Sequence, residues 1–318
     1  MLSRREFLQT QAAGVALPLA LGAGAAKGEP LAASAALLSG RPDTSAAQPR
    51  IIDCHHHYNG EPAYLEKLVR KLEGIDGMAF LLTEPPDLPS AKYGIDRHSR
   101  RLVGFGEINL DDPQVLEVID RFHDAGFRGI GELENPRKNY DDPSYWPIYE
   151  RAEKYGMIAL FHTGIVNREH PEIPADVSSD RMRVTRLDLI ARKFPKITVI
   201  GAHLGNPDYA WAAEIARWSP NVLFDVSGSS LIKKQDDYAF FKSVFWWSGV
   251  SSPHSPAARA SAFEKLVFAS DCFGGDLDEF DLSLSRYKKM LAVCEVPAAA
   301  QANILSGTAW RLLNNTST

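Results

Sequence analysis

The sequence predicts an α/β fold, a closed (β/α)8 or TIM barrel, from three observations. From Ile51 onward, short apolar runs alternate with longer amphipathic runs, which is typical of a parallel sheet built from strand–helix units. Eight apolar runs occur, and eight units within about 250 residues match the size of such a barrel. A doubly wound open sheet is the alternative, but the sequence has no G-x-G-x-x-G turn and no phosphate-loop lysine motif.

The predicted strands are short and rich in Val, Ile, Leu or Phe. They cover residues 51–57, 77–82, 102–108, 128–133, 157–162, 197–203, 222–226 and 266–270. Helical patterns, with Leu, Ile and Ala recurring every three or four residues, lie between them at 63–72, 114–125, 145–155, 186–193 and 211–217. Chemistry in such a barrel takes place at the carboxyl ends of the strands, so an enzyme would carry reactive residues at several of those ends.

The first fifty residues are expected to be a twin-arginine export signal and a linker. Arg4 and Arg5 precede an apolar run over 12–26, which is shorter than the roughly 20 residues of a membrane span, so cleavage is favoured over a membrane anchor. An amphipathic first helix is the alternative, but the run is apolar all round. The sequence thus predicts a signal and linker over 1–50, one barrel domain over 51–318, and a periplasmic or other extracytoplasmic location.

Charge and cysteine content narrow the function classes. The formal net charge is −5, with no Lys/Arg run that forms a basic stripe, so nucleic-acid binding is disfavoured. The composition, 45% hydrophobic and 24% charged, is that of a globular protein. Three cysteines without a C-x-x-C pair do not form a disulfide framework. A small molecule is therefore the expected partner, and a homo-oligomer is left open.

The first predicted strand ends in a run of histidines. Regular alternation would place Asp53, His55 and His57 on one face of this strand. Cys54 and His56 would lie on the other face. Two imidazoles two residues apart can reach one metal ion inside the barrel mouth. Asp53 is expected to support a histidine from behind rather than bind metal, and His56 to lie in the core.

Other predicted strands end in the same kind of residue. His162 ends the fifth, His203 the sixth, and Asp271 directly follows the eighth. Four of the eight strand ends therefore deliver His or Asp. These are the side chains that bind divalent metals in catalytic sites. The sequence thus places metal chemistry at the barrel mouth.

Ordered motifs along the whole barrel resemble the amidohydrolase superfamily. They include I-I-D-C-H-H-H-Y at 51–58, R-R-L-V-G-F-G-E-I-N-L at 100–110, F-R-G-I-G-E-L-E at 127–134 and F-H-T-G at 161–164. The later motifs include T-V-I-G-A-H-L-G-N-P at 198–207, N-V-L-F-D-V-S-G at 221–228 and L-V-F-A-S-D at 266–271. These later motifs are similar to the amidohydrolase-2 branch, which contains aminocarboxymuconate-semialdehyde decarboxylase-like enzymes as well as hydrolases and lactonases.

This resemblance implies a metal-dependent enzyme. By it, His55, His57, His162 and Asp271 would bind one divalent metal. Zn²⁺ best suits imidazole and carboxylate ligands, with Mn²⁺ as an alternative. Asp271 would also take the proton from an attacking water. His203 would act as a general acid or base, clamp charge on the substrate, or bind a second metal.

Four further residues carry open alternatives. Glu132 aligns with the bridging ligand of two-metal relatives, but it could instead pair with Arg128 or another cation at the rim. Asn206 is expected to contact substrate or to cap the next helix. Arg183 would clamp a substrate carboxylate or join an ion-pairing surface, and Trp247 would line the pocket or pack on the barrel wall.

Two reactions fit these residues. The preferred one is metal-dependent hydrolysis of an amide, ester or lactone bond in a small organic molecule, and Glu132 favours it because a bridging acid is typical of two-metal water activation. The alternative is metal-dependent, non-oxidative decarboxylation of an unsaturated or aromatic carboxylic acid. A non-catalytic metal- or ligand-binding barrel is the third hypothesis. It is disfavoured because a buried polar cluster that has no function lowers folding stability.

Overall fold

The computed structural model describes residues 47–165, 178–245, 260–273 and 277–314. Seven parallel strands form one sheet whose spatial order follows the chain. They are β1 (Ile51–His57), β2 (Gly77–Thr83), β3 (Leu102–Gly106), β4 (Gly129–Leu133), β5 (Ile158–Phe161), β6 (Thr198–Gly201) and β7 (Val222–Phe224). Each is almost wholly buried, as expected for a parallel sheet covered on both faces.

A closing segment, residues 266–272, joins the two edges of this sheet. Leu266 forms a parallel bridge with Phe224 of β7, and Cys272 forms one with His56 of β1. The sheet is therefore closed into a ring of eight parallel segments, which confirms the predicted (β/α)8 barrel. The closing segment makes only these isolated bridges, so the eighth predicted strand is less regular than the sequence suggests.

Helices follow the strands and cover the outside of the ring. The α-helices are α1 (Pro62–Gly74), α2 (Leu88–Arg97), α3 (Val115–Asp124), α4 (Trp146–Lys154), α5 (Arg186–Lys193), α6 (Tyr209–Trp218), α7 (Ser229–Lys233), α8 (Ala239–Phe245), α9 (Asp278–Val293), α10 (Ala298–Ala302) and α11 (Thr308–Asn314). Each predicted helical pattern overlaps one of them. In the part of the chain that the structure describes, no helix is both long and apolar enough to cross a bilayer.

The apolar core has two layers. Inside the ring, side chains such as Ile52, Phe80 and Leu160 fill the barrel, and the rings of Phe80 and Phe105 stack with centroids 4.5 Å apart. A larger layer lies between the ring and the helices; Phe122, for example, faces inward from α3. Because the interior is packed with side chains, space for chemistry remains at the mouth.

A bulge in β1 reverses the faces that simple alternation predicts. Asp53 pairs with Ala79 and His56 with Leu81, so three steps along β1 oppose two along β2. Ala79 and Leu81 belong to the outer apolar layer, and Asp53 and His56 share their outward face. Cys54 packs in the inner layer. The prediction that Asp53 lies beside the inward histidines was therefore wrong, as was the outward placement of Cys54.

A second bulge lies in β4. The register against β5 shifts between Ile130 and Leu133. Gly131 lies in this bulge with φ +129°, and a Cβ at this position would be 2.2 Å from the carbonyl oxygen of Leu160. Only glycine fits such an approach. Glu132 lies in the same bulge, and its carboxylate reaches the barrel mouth.

Candidate metal centre

Six side chains converge at the carboxyl ends of the strands, as the sequence predicted. They form two adjacent groups, and within each group the ligand atoms lie within 4.8 Å of one another. The first group is His55, His57 and Asp271, and the second is Glu132, His162 and His203. All except Asp271 are buried, and Asp271 is partly exposed. The structure thus brings the predicted ligands together with His203. It divides the four that were expected to hold one ion, because His162 lies in the second group.

The first group has three donors directed at one region. The Nε2 atoms of His55 and His57 lie 3.1 Å apart. Asp271 Oδ1 lies 3.4 Å from the first nitrogen and 3.6 Å from the second. Two imidazole nitrogens and a carboxylate oxygen form the donor set that Zn²⁺ and similar ions take in catalytic sites. The residues present therefore fit a divalent cation.

Glu132 lies between the two groups. Its Oε2 is 3.4 Å from His55 Nε2, and its Oε1 is 2.9 Å from His162 Nδ1 and 3.4 Å from His203 Nε2. One carboxylate oxygen therefore faces each group. The other expected partner, Arg128, directs its guanidinium to the carbonyl oxygen of Leu313. Glu132 therefore borders both groups of candidate ligands.

His162 presents its Nδ1, not its Nε2, to the second group. Nδ1 lies 2.9 Å from Glu132 Oε1. Nε2 is buried and has no hydrogen-bond partner among the described residues. Nδ1 is therefore the nitrogen of His162 that could bind a cation shared with Glu132.

The charged groups of the centre shift the pKa values of one another. Burial lowers the pKa of His55, but Glu132 and Asp271 outweigh it and raise that pKa well above its ordinary value. Against burial, Asp271 and Glu132 raise the pKa of His203 to about 9. Burial raises the pKa of Asp271, but the two histidines lower it to about 2. Without a metal, these shifts favour protonation of His55 and His203, and a divalent cation would replace those protons.

Further acids and a hydroxyl hold the imidazoles from behind. His55 Nδ1 lies 3.3 Å from the Asp225 carboxylate, and His57 Nδ1 lies 2.7 Å from Glu107 Oε1. His203 Nδ1 is 3.1 Å from Ser227 Oγ. Such contacts fix the ring orientation and tautomer of a metal-binding histidine.

Sequence reasoning missed Glu107, Asp225 and Ser227. Glu107 directly follows β3, and Asp225 directly follows β7. Inspecting the end of every strand, rather than only those with His or a known metal ligand, would have found both acids. Ser227 has no comparable mark in the sequence.

His203 lies just beyond β6 rather than within it. The predicted strand ends two residues early, at Gly201, and a tight turn over Ala202–Gly205 gives His203 a φ of +59°. The Asp225 carboxylate accepts its backbone N–H at 2.9 Å, and Ser230 Oγ donates to its carbonyl oxygen at 2.6 Å. These contacts hold the imidazole beside Glu132.

The three residues expected to bind substrate have different surroundings. The Asn206 amide is buried; it donates to Ser229 Oγ at 2.7 Å and accepts from Lys233 Nζ at 3.0 Å. Arg183 is exposed and pairs with Asp208 at 3.2 Å, which matches its ion-pairing alternative. Trp247 lies outside the described residues. A substrate contact by any of the three stays a prediction.

Fold and site together define a (β/α)8-barrel protein with a candidate metal centre at its mouth. A family profile described as "Amidohydrolase" matches residues 90–314. The chain belongs to the amidohydrolase family, in its amidohydrolase-2 branch. A comparison with curated proteins found no match.

Solved structures share this fold at low sequence identity. An uncharacterized TIM-barrel protein from Bordetella bronchiseptica is 15% identical, with 83% of this chain and 98% of that chain covered and a TM-score of 0.58. A probable 2-pyrone-4,6-dicarboxylic acid hydrolase from Acinetobacter baumannii is 13% identical, with 83% and 99% covered and a TM-score of 0.55. 5-Carboxyvanillate decarboxylase from Sphingomonas paucimobilis is 13% identical, with 83% of this chain and 99% of that chain covered and a TM-score of 0.54.

Proposed function

We propose that this protein is a metal-dependent hydrolase that cleaves an amide, ester or lactone bond of a small organic molecule with an activated water. The position of Glu132 carries the proposal, because one of its oxygens faces each group of ligands. A carboxylate shared by two sites is typical of two-metal centres that activate water.

The residues divide naturally between two ions. His55, His57 and Asp271 would hold the first ion, His162 and His203 the second, and Glu132 would contribute to both. Of the roles expected for His203 we choose the ligand, because its Nε2 lies beside Glu132. A bound Zn²⁺, or Mn²⁺ in its place, would lower the pKa of water to about 7 and polarise a carbonyl oxygen.

Asp271 is the residue suited to accept the proton of the attacking water. Its Oδ1 faces the histidine pair, and its Oδ2 faces His203 Nδ1 at 3.9 Å. Gly228 borders that oxygen with φ +56°, and a Cβ at this position would lie 2.6 Å from Oδ2. The missing side chain keeps Oδ2 open to a small molecule. Proton transfer at this atom would leave Oδ1 in place.

Two measurements test the proposal, the metal content of the protein and the incorporation of water oxygen into the product. The first measurement is metal per chain by plasma mass spectrometry, for the wild type, Glu132→Gln and a neighbouring control, Glu134→Gln. The proposal expects two equivalents in the wild type and the control, and one in Glu132→Gln. One equivalent in all three would remove the bridging role.

The same proteins would then be given two probes named for structurally similar enzymes. 2-Pyrone-4,6-dicarboxylate is a lactone, and 5-carboxyvanillate is a substrate for decarboxylation. A hydrolase turning over the lactone in ¹⁸O-labelled water incorporates the label into its product. Release of carbon dioxide without label incorporation would support the decarboxylase alternative instead. Failure to bind metal after reconstitution with Zn²⁺ or Mn²⁺ would leave the non-catalytic barrel.

We also propose that residues 1–50 direct export by the twin-arginine route. Most of them lie outside the described part of the chain, so the support is the sequence pattern alone. Fractionation of cells that express the wild type or an Arg4→Lys, Arg5→Lys variant tests it. Export should fail in the variant, and equal export of both proteins would refute the proposal.

A further inference from the structure

We propose that Asp53 is a positioning residue that sets the separation between Asp271 and the histidine pair by holding the closing segment against β1. The inference rests on the metal centre of the proposed function. Asp53 does not face that centre, since the bulge in β1 turns it outward. Its effect is transmitted through Ser270, the residue before Asp271.

The Asp53 carboxylate is fully buried and has four hydrogen-bond contacts. Its Oδ1 accepts from the backbone N–H of Ser270 at 2.8 Å and from that of His55 at 3.2 Å. Its Oδ2 accepts from Ser270 Oγ at 2.6 Å and lies 3.0 Å from His56 Nδ1. One side chain therefore ties a ligand-bearing part of β1 to the residue that precedes Asp271.

The backbone of the closing segment explains why a side chain is needed at this point. The N–H groups of Ser270 and Asp271 are consecutive, yet both are directed at β1, to the Asp53 carboxylate and to the carbonyl oxygen of His55 respectively. A regular strand directs successive N–H groups to opposite sides. The departure coincides with a φ of +55° at Asp271. Asp53 thus takes the place of a backbone acceptor where the strand pattern breaks.

Asp53 is itself held in place from the helix side. His56 is fully buried, and its Nε2 lies 2.7 Å from the hydroxyl of Tyr64 in α1. The path from α1 through His56 and Asp53 to Ser270 is continuous and buried. A displacement of Ser270 would move Asp271, whose Oδ1 lies 3.4 Å from His55 Nε2.

Reconstitution of the metal-stripped full chain with Co²⁺ tests this role without any substrate. Asp53→Asn keeps the shape of the side chain but replaces a carboxylate oxygen with an NH₂ group. We expect the affinity for Co²⁺ to fall about tenfold or more, and the visible absorption spectrum of the bound ion to change. The control is Ser283→Ala, which removes a hydrogen bond of 3.0 Å to the carbonyl oxygen of the same Ser270. It should lower thermal stability while leaving the Co²⁺ spectrum and affinity unchanged.

The outcomes separate this inference from the proposed function. Wild-type affinity and spectrum in Asp53→Asn, or equal changes in Asp53→Asn and Ser283→Ala, would overturn the positioning role alone. A wild type that binds no Co²⁺ would overturn the metal centre and the inference with it. If Asp53→Asn does not fold, Ser270→Ala decides, since it removes the 2.6 Å contact and should weaken Co²⁺ binding in the same direction.

Discussion

Raising the pH should destabilise the metal-free protein. The pKa shift of His203 gives the size of the expected loss of stability. Its pKa in the folded chain is about 9, against an ordinary value of 6.5. A folded-state pKa above the unfolded value gives stabilisation that is complete below pH 6.5 and is lost as the pH rises through about 9. That interval corresponds to roughly 3 kcal/mol for a fully buried group. The raised pKa values of His55 and His57 act in the same direction.

At low pH, folding stability is lost as the pH falls, because the pKa of a carboxylate is lowered in the folded chain. The pKa of Asp271 is lowered from 3.8 to about 2, so its stabilisation is complete above pH 3.8 and is lost as the pH falls through about 2. The metal-free protein should therefore be most stable between these limits, in mildly acidic solution.

Thermal denaturation of chelator-treated protein across the range from about pH 6 to pH 9 measures this loss. The control is His203→Asn, which cannot be protonated and should lose less stability over the same range. Metal-loaded wild type should lose less as well, because a bound cation replaces the protons. Stripped wild-type protein whose stability is constant or rises over this range would refute the electrostatic description of the centre.

Three other changes have defined expectations. Gly131→Ala should lower the free energy of unfolding by more than about 3 kcal/mol in urea denaturation, because its Cβ would meet a backbone oxygen at 2.2 Å. The control is Gly156→Ala, which has φ +62° and open space around its Cβ, and it should lower the free energy of unfolding by about 1 kcal/mol. Asp225→Asn, behind His55, should weaken metal binding about tenfold or more by chelator competition, and wild-type affinity would exclude this support. Arg183→Ala should change stability by less than about 1 kcal/mol; a raised KM for acidic substrates but not for neutral analogues would show a substrate clamp.

The fold was predictable because a sheet that is buried on both faces has strands with a simple sequence pattern. Strands of a covered parallel sheet are continuous apolar runs, and their number and spacing suffice to predict a barrel. Strand ends were less predictable: β5 ends at Phe161 and β6 at Gly201, so His162 and His203 lie in the turns that follow. The closing segment was identified by its apolar residues, although its backbone pairing is irregular.

The candidate site was predictable in its members and less so in its orientation. His55, His57, His162 and Asp271 were found because they lie at or next to the ends of predicted strands and because the resemblance to the amidohydrolase family implies them as ligands. One extra residue in β1 changes the face of everything before it, and no composition or periodicity marks such a bulge, which is why the placement of Asp53 was wrong. The location of Glu132 between the two groups of ligands likewise required the distances.

The junction between β1 and the closing segment also sets when the centre can exist during synthesis. Asp53 and Ser270 are 217 positions apart in the chain. At about 5–20 residues per second, a ribosome needs roughly 10 to 40 s to add that length. During this time the histidine pair can meet metal ions, but the carboxylate of Asp271 that completes the first group has not yet been made. Any ion held by all three residues of the first group would therefore be enclosed only at the last step of barrel assembly, when the closing segment brings Asp271 to the histidine pair.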